Sequence, residues 1–371
     1  MLAKKSVQMA KLLKDLYNKE YLSIVICEIQ KVYKKFDDKA FFIDIFDKFW
    51  EQKELKQRMR HISTCMGLYL PFKYEKNINI LKQVFPNIST KYNLENIIFQ
   101  DFVEVYGLDN FSVSMEALEV FTHNSTSEFA IRQFILKYPQ QTMPQMLIWA
   151  KSESFHVRRL ASEGSRPRLP WAIVLTKFKE NPTQIIEILE LLKDDESKYV
   201  RKSVANSLND ISKDNPIIFK KLVKEWLHVE PKRKALVKHA CRTLLKAGDS
   251  EVLELFGFTS PDSIHIENFE YSQKVKKDGD LNFSFLIKSD KVLGKLRLEY
   301  KIYFLRANKT YGEKVFKISE FTSTCREKQV NKKHSFKKIS TRKYYFGIQK
   351  ISILINGVEF LKKEFLFSTH C

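Results

Sequence analysis

Several short motifs with well-known chemistry are missing from this sequence of 371 residues. It contains no GxGxxG turn, no Walker loop, no HExxH helix and no CxxC pair, so dinucleotide, nucleoside-triphosphate and structural zinc chemistry have no support. No apolar run approaches the length of a membrane span, and the first residues lack the uninterrupted apolar core of a signal peptide. The sequence therefore predicts a protein without a cofactor, a bound metal or a membrane partner.

Cysteine and glycine are both scarce. The five cysteines are odd in number and lie far apart, which is typical of a reduced, cytoplasmic protein rather than of a disulfide framework. Only Gly67 and Gly107 occur in the first 125 residues, where apolar side chains recur at helical spacing. This pattern predicts long helices joined by short links.

Negative charge is deficient, because 64 Lys and Arg stand against 44 Asp and Glu, a net charge of +20. Such an excess favours a polyanionic partner, either nucleic acid or an anionic membrane surface. Solubility, or a generally lysine-rich proteome, is the alternative explanation. Hydrophobic residues make up 44% of the chain, which indicates a globular protein rather than a disordered one.

A short motif recurs after residue 125. An acidic residue is followed by a β-branched residue and an arginine at Ile131-Arg132, Val157-Arg158 and Val200-Arg201, and a fourth copy at Leu236 has lost the arginine. The anchors are 26, 43 and 36 residues apart. The length of a repeat made of one helix pair falls within this range. The spacing predicts an α-solenoid of HEAT or armadillo type.

The anchors also predict a common surface. If each anchor faces the core, the residues two and six positions later lie on the opposite side of the helix. These residues are Gln133, Lys137, Arg159, Glu163, Lys202, Asn206, Lys238 and Arg242. With Asp210 one turn beyond Asn206, the surface becomes a basic groove holding two central carboxylates. The alternative is an ordinary solvated helix face with scattered charges.

The segment His156 to Trp171 combines a helix with a rigid loop. Pro167 and Pro170 fix their own φ angles and push the preceding residues toward extended geometry. Arg166, Arg168 and Trp171 are therefore expected on a stiff loop that follows Glu163.

The pattern changes near Gly257. Apolar residues then alternate with polar ones, and Asn356-Gly357 is a strong hairpin signal. About seven short strands predict an immunoglobulin-like β-sandwich. Residues 262–371 contribute +11 of the net charge, with a dense run at KKHSFKK, Lys332 to Lys338, which suggests phosphate contacts. The expected domains are a helical, DNA-binding and catalytic one over 1–257 and a basic β-sandwich over 262–371.

Carboxylates, arginines and an indole without a cofactor suit cleavage of a bond whose leaving group departs easily. The N-glycosidic bond of a base alkylated on a ring nitrogen is such a bond, because the cationic base leaves neutral. A carboxylate stabilises the oxocarbenium character of the sugar and positions water, while an indole attracts positive charge.

The chain resembles the AlkC branch of the AlkC/AlkD superfamily, the HEAT-like-repeat alkylpurine DNA glycosylases, in the subgroup with a C-terminal immunoglobulin-like domain. The matching pieces are WEQKELKQRMRHIS (50–63), SEFAIRQF (127–134), HVRRLASEGSRPRLPWA (156–172) and YVRKSVANSLNDISKDNP (199–216). The resemblance implies monofunctional excision of 3-methyladenine and 3-methylcytosine from double-stranded DNA, without flipping the lesion into a deep pocket. A monomer is expected.

The resemblance also implies roles for individual residues. Asp210 is the leading catalytic carboxylate, Glu163 and Glu128 are further active-site carboxylates, and Trp171 is the aromatic residue at the lesion. Arg159 and Arg166 are expected to contact DNA, as are the loop and groove residues Arg168, Lys202, Lys238 and Arg242. For Glu128, a capping role at a helix start is the alternative. A non-catalytic HEAT-repeat scaffold that binds DNA or protein is the alternative for the whole chain.

Overall fold

The structure, a computed structural model, describes residues 12–227, 231–258, 260–339 and 342–369. They form two compact units. The first holds the described residues up to Phe219 and the helix that ends at Ala240. The second holds residues 220–227 and those from Cys241 onward. The domain limits expected from the sequence, 1–257 and 262–371, remain a prediction.

The described residues up to Leu255 are mainly helical. The sixteen α-helices of the described residues are α1 Lys19–Val32, α2 Asp38–Ile45, α3 Leu55–Tyr69, α4 Tyr74–Val84, α5 Ile97–Tyr106, α6 Phe111–Phe121, α7 Ile131–Lys137, α8 Pro139–Trp149, α9 Phe155–Gly164, α10 Thr176–Glu180, α11 Thr183–Leu192, α12 Lys198–Asp214, α13 Pro216–Trp226, α14 Pro231–Ala240, α15 Arg242–Ala247 and α16 Ser250–Leu255. Short 3₁₀ helices lie at Leu13–Leu16, Trp50–Gln52, Phe85–Asn87 and Thr90–Tyr92. None of the described helices has both the length and the apolarity needed to cross a membrane.

The repeat anchors lie in the core of the first unit, as expected. Ile131, Val157, Val200 and Leu236 are all buried. Helix α9 packs against α8, α11 and α12, and α12 packs in turn against α14, so successive repeats stack as a HEAT-like solenoid. Gly164 permits a close approach of α9 to α7, because a Cβ atom there would lie 2.6 Å from Cγ2 of Ile131, the first residue of α7.

The second unit contains a β-sandwich. Its strands are β1 Ile264–Tyr271, β2 Lys274–Lys276, β3 Asp280–Ser289, β4 Gly294–Leu305, β5 Tyr311–Ser323, β6 Glu327–Ser335, β7 Gly347–Ile355 and β8 Val358–Ser368. One sheet has the order β1-β3-β6 and the other β2-β8-β7-β4-β5, with antiparallel pairing except between β2 and β8. The alternating apolar residues expected on β3 and β4 are buried between the sheets.

The thiols of Cys27, Cys65, Cys241 and Cys325 are all free, and Cys371 lies outside the described residues. The hairpin between β7 and β8 is also confirmed. Asn356 and Gly357 have φ values of 46° and 81°, which the tight two-residue turn requires.

The glycine of this turn meets a second constraint. A Cβ atom on Gly357 would lie 2.3 Å from Cα of Gly248, a residue of the same unit. Gly357→Ala should therefore destabilise the second unit by more than the roughly 1–2 kcal/mol that a left-handed alanine costs. Gly294→Ala is the matched control, because Gly294 also has a positive φ of 62° but has open space around its Cβ position.

Urea unfolding of the two variants measures the difference in the free energy of unfolding. We expect Gly357→Ala to lose at least about 1 kcal/mol more than Gly294→Ala, which is the typical cost of a steric overlap in a packed region. Equal losses would show that the approach of the two backbones imposes no constraint.

Candidate active site

A loop follows α9 and runs from Ser165 to Leu175. The helix ends at Gly164, and the Ser165 hydroxyl donates to the carbonyl of Ala161 at 2.7 Å, which satisfies one of the last carbonyls of the helix. The amide of Leu175 donates to the carbonyl of Pro167 at 3.1 Å, so the loop folds back on itself. A loop is therefore present where the two prolines predict it, and its stiffness stays a prediction.

Three buried charges meet beneath this loop. Arg166 Nη1 donates to Oε1 of Glu163 at 2.6 Å, and its Nε donates to Oδ2 of Asp210 at 2.9 Å. The three side chains expose only 7%, 6% and 1% of their surfaces, respectively. Burial alone would lower the pKa of Arg166, but the two carboxylates outweigh it and raise the pKa above its ordinary value. One guanidinium therefore joins α9 to α12 through an ionic bridge.

The two carboxylates are not equally satisfied. Asp210 receives a further hydrogen bond at 3.1 Å from Lys213, one turn along α12. Glu163 binds through Oε1 only, since its buried Oε2 accepts no hydrogen bond from the described residues. A buried acceptor without a partner is costly and calls for an explanation, such as a catalytic role or an ordered water molecule. Oε2 of Glu163 is therefore a candidate to bind water or a ligand.

A second ion pair flanks the bridge. Arg159 Nη1 donates to Oε2 of Glu128 at 2.6 Å, and the hydroxyl of Thr126 donates to the same oxygen. The guanidinium also lies 4.5 Å from the ring centroid of Tyr199 and 3.8 Å from Oε1 of Glu163. Burial opposes the charge of Arg159, but the two carboxylates outweigh it and raise its pKa.

Glu128 lies just ahead of α7, whose N-cap residue is Ala130. Its carboxylate pairs with Arg159. The ion pair does not test the helix-start alternative, in which the carboxylate interacts with the dipole or the first amides of α7, so both roles of Glu128 stay predictions.

Trp171 is held at the surface in a strained conformation. Its φ of 63° is left-handed, and its side chain is 64% exposed. The ammonium group of Lys56, on α3, donates a hydrogen bond to the carbonyl of Trp171 and lies 4.8 Å from the ring centroid of Phe129. Residues with such backbone strain persist where the surrounding structure fixes them, commonly at active sites.

Comparison with known proteins matches two family models to the two parts of the chain. A family model described as DNA alkylation repair enzyme matches residues 120–244, and a model of the C-terminal Ig-like domain of the uncharacterised protein YhaZ matches residues 265–369. YhaZ of Bacillus subtilis (strain 168), itself described as uncharacterised, is 42% identical over 347 residues, which cover 93% of this chain and 96% of that protein.

A solved structure is similar along nearly the whole chain. The Pseudomonas fluorescens alkylpurine DNA glycosylase AlkC, bound to DNA containing an abasic site analog, matches with a TM-score of 0.91 and 33% sequence identity. The match covers 96% of this chain and 99% of that one.

The chain belongs to the AlkC family of DNA alkylation repair enzymes. The two carboxylates of the ionic bridge, the arginines around them and Trp171 all lie within the range matched by the repair-enzyme model. Lys56 lies outside this range but within WEQKELKQRMRHIS (50–63), one of the segments that carry the resemblance, and that segment alone did not single out Lys56 as a site residue.

The arginines expected at the DNA differ in their surroundings. Arg166 is buried between two carboxylates, so its guanidinium is not presented at the surface as a phosphate contact requires. The sequence could not show this, because the proline pattern fixes the loop backbone but not the partner of the side chain. Arg168 is more exposed and pairs with Asp214 at 2.6 Å.

The basic groove stays a prediction, and its residues differ in their surroundings. Lys202 is exposed and lines a cavity of 380 Å³ with Lys198 and Arg201, and Lys238 is half-buried. Arg242 is not on the helix of Lys238, because α14 ends at Ala240 and Arg242 begins α15. The expectation that these two residues share one helix face is therefore wrong.

Proposed function

We propose that this protein is a monofunctional DNA glycosylase that releases cationic N3-alkylated bases, 3-methyladenine and 3-methylcytosine, from double-stranded DNA. The observation that carries the proposal is the ionic bridge, in which Glu163 and Asp210 flank one buried cation. The AlkC relative, an alkylpurine DNA glycosylase solved with DNA containing an abasic site analog, supports the same reaction class. The protein is expected to act as a monomer on chromosomal DNA in the bacterial cytoplasm.

The reaction needs no acid to protonate the leaving group. The bond between C1′ and the base nitrogen breaks with its electron pair moving to the base, which already carries a positive charge and leaves neutral. The oxygen of a water molecule then bonds to C1′, and a proton of that water passes to a carboxylate and on to solvent. The products are a free base and an abasic site.

Asp210 is the carboxylate proposed to face the sugar. Its negative charge stabilises the oxocarbenium character that develops at C1′, and the low local dielectric strengthens this effect. Glu163 is proposed to orient water through Oε2, the oxygen that accepts no hydrogen bond from the described residues. The exposed indole of Trp171 attracts the positive charge of the lesion.

Arg166 is proposed to change partners when DNA binds. In the present conformation its guanidinium occupies the position between the two carboxylates that a cationic base or sugar would need. A flanking phosphate is a suitable new partner, because guanidinium binds phosphate as readily as carboxylate. The substrate cation then replaces the side-chain cation, and the carboxylates are never left without a positive neighbour.

Glu128 is proposed as a further active-site carboxylate that holds Arg159 for DNA contact. Arg168, Lys202, Lys238 and Arg242 are proposed as additional DNA contacts. The alternative function, a non-catalytic scaffold, would bind DNA without releasing bases. The buried carboxylates argue against it, because a binding surface for DNA gains nothing from two carboxylates beneath a cation.

Asp210→Asn is the test of catalysis. The substitution keeps the size of the side chain but removes the charge that stabilises the transition state. We expect the single-turnover release of 3-methyladenine from methylated duplex DNA to fall at least about 100-fold, as is typical when a transition-state charge partner is lost. DNA affinity should change little.

Asp109→Asn is the matched control. Asp109 is an exposed carboxylate that pairs with Lys137, so the substitution removes the same charge away from the bridge. Wild-type-like base release by the Asp210 variant would reject the catalytic assignment. Wild-type protein that binds methylated DNA without releasing a base would favour the scaffold.

The β-sandwich is proposed to contact DNA phosphates through the segment Lys332 to Lys338. Lys337 and Lys338 are exposed, and Lys332 lines an open polar groove on the three-stranded sheet. Replacing these three lysines by Gln in the full-length protein should weaken DNA binding. It should also reduce the slope of log affinity against log salt by about 1–3, since each lost phosphate contact contributes roughly 0.9.

A second triple variant controls for the loss of net charge. Lys291, Lys314 and Lys363 are exposed lysines elsewhere in the sandwich. Fluorescence-anisotropy titrations of both variants at several salt concentrations give the two slopes. Equal slopes for the two variants would mean that the segment makes no specific phosphate contact.

A further inference from the structure

Arg132 is a fully buried arginine at the start of α7, and every hydrogen bond that its guanidinium makes to the described residues goes to a main-chain carbonyl group. Its Nη1 donates to the carbonyls of Gly164 and Arg166 at 2.9 and 2.8 Å. Its Nε and Nη2 both donate to the carbonyl of Ile173, at 2.9 and 2.5 Å. One of these hydrogen bonds therefore reaches the last residue of α9, and the other three reach the loop that follows it, one at Arg166 and two at Ile173.

If Arg132 served only to stabilise the fold, this arrangement would be energetically unfavourable. Among the described residues, no carboxylate oxygen forms an ion pair with Arg132, and burial lowers the pKa of its guanidinium to about 10. Burying a charge without a direct counter-ion is unfavourable, and the nearby cation of Arg166 adds repulsion. Such local conflicts are typical of functional positions rather than of packing positions.

The planar guanidinium sets the geometry of the loop. Its donors have fixed directions and spacing, so they fix the distance between the loop start at Gly164 and the loop end at Ile173. The loop between these ends carries Arg166 and Trp171. Its main chain therefore has little freedom to change where Arg166 enters the ionic bridge or where the indole of Trp171 stands.

The positive charge of Arg132 also supports the active site. Glu128, Glu163 and Asp210 are all close enough to interact electrostatically with the guanidinium. The guanidinium is therefore a fixed positive charge behind the three carboxylates, which it attracts. The side chain thus contributes both a geometric restraint and a field, without reaching the substrate itself.

We infer that Arg132 is a positioning residue for base excision, which clamps both ends of the loop from Gly164 to Ile173 and so orders Arg166 and Trp171 before DNA binds. The inference rests on the proposed glycosylase function. It extends that function, because it explains how the main chain of the loop is already in place when DNA binds, so that only the side chain of Arg166 has to change partners.

The fluorescence of tryptophan reports on the clamp independently of activity. Trp50, Trp149 and Trp226 are buried, whereas Trp171 is 64% exposed. Quenching by acrylamide in the full-length protein therefore reports mainly on Trp171, and a Trp171→Phe variant identifies its contribution. A loosened loop should raise the quenching constant and lower the fluorescence anisotropy of this residue.

Arg132→Lys is the decisive variant, since it keeps the charge but removes the planar set of donors. We expect acrylamide quenching of Trp171 to increase about twofold or more and single-turnover release of 3-methyladenine to fall at least about 10-fold. Affinity for DNA should stay within about threefold of wild type. Arg132→Met removes charge and donors together, and we expect a larger loss of rate from it; should this variant not fold, Arg132→Lys decides alone.

Arg158→Lys is the matched control, because Arg158 occupies the same motif position in the next repeat. It binds Asp195 and the carbonyls of Ser152 and Glu153, none of which belongs to the loop. We expect this variant to lower the melting temperature but to leave the excision rate and the quenching of Trp171 unchanged.

Two results would overturn the inference. In one, Arg132→Lys and Arg158→Lys change the rate and the quenching to the same degree, which would make Arg132 purely structural. In the other, Arg132→Lys leaves the quenching of Trp171 at the wild-type value. Failure of the proposed function is distinct, because it appears as absence of base release from the wild-type protein while the quenching data still decide the clamp.

Discussion

The ionic bridge between Glu163, Arg166 and Asp210 is the interaction on which the rest of the active site depends. Two carboxylates this deeply buried are unfavourable without a cation between them, and removal of one member of a buried pair typically costs about 3–5 kcal/mol. The same pairing suits a reaction that generates positive charge. A site that is stable around a guanidinium is also electrostatically suited to an oxocarbenium-like transition state.

The solenoid supplies the two helices that the bridge joins. Helix α9 brings Glu163 to its last turn, and α12 packs beside it with Asp210 on the adjacent surface. The loop after α9 then turns Arg166 back between them. Because the bridge spans two repeats, neither repeat could form the site by itself, and the stacking of repeats is as important for the chemistry as the residues.

The sequence predicted the repeats well because burial imposes a period on helices. The anchors Ile131 and Val200 are buried as expected, and Asn356-Gly357 forms its turn because few other residues adopt two successive positive φ angles. The partner of Arg166 was not predictable, because Asp210 lies 44 residues away and local patterns do not encode such a pairing. The end of α14 before Arg242 was also not predictable. The apolar residues there keep their helical spacing, and no proline or glycine marks the end of the helix.

The most direct test of the central claim compares a cationic with a neutral base in the same duplex sequence. Mass spectrometry of the free bases released in single-turnover reactions would measure 3-methyladenine from one duplex and hypoxanthine from the other. If the bridged carboxylates act on a leaving group that is already charged, 3-methyladenine is released rapidly and hypoxanthine is not released at a measurable rate. Release of both bases at similar rates would contradict this mechanism, because a neutral base needs a proton donor that the proposed mechanism does not use.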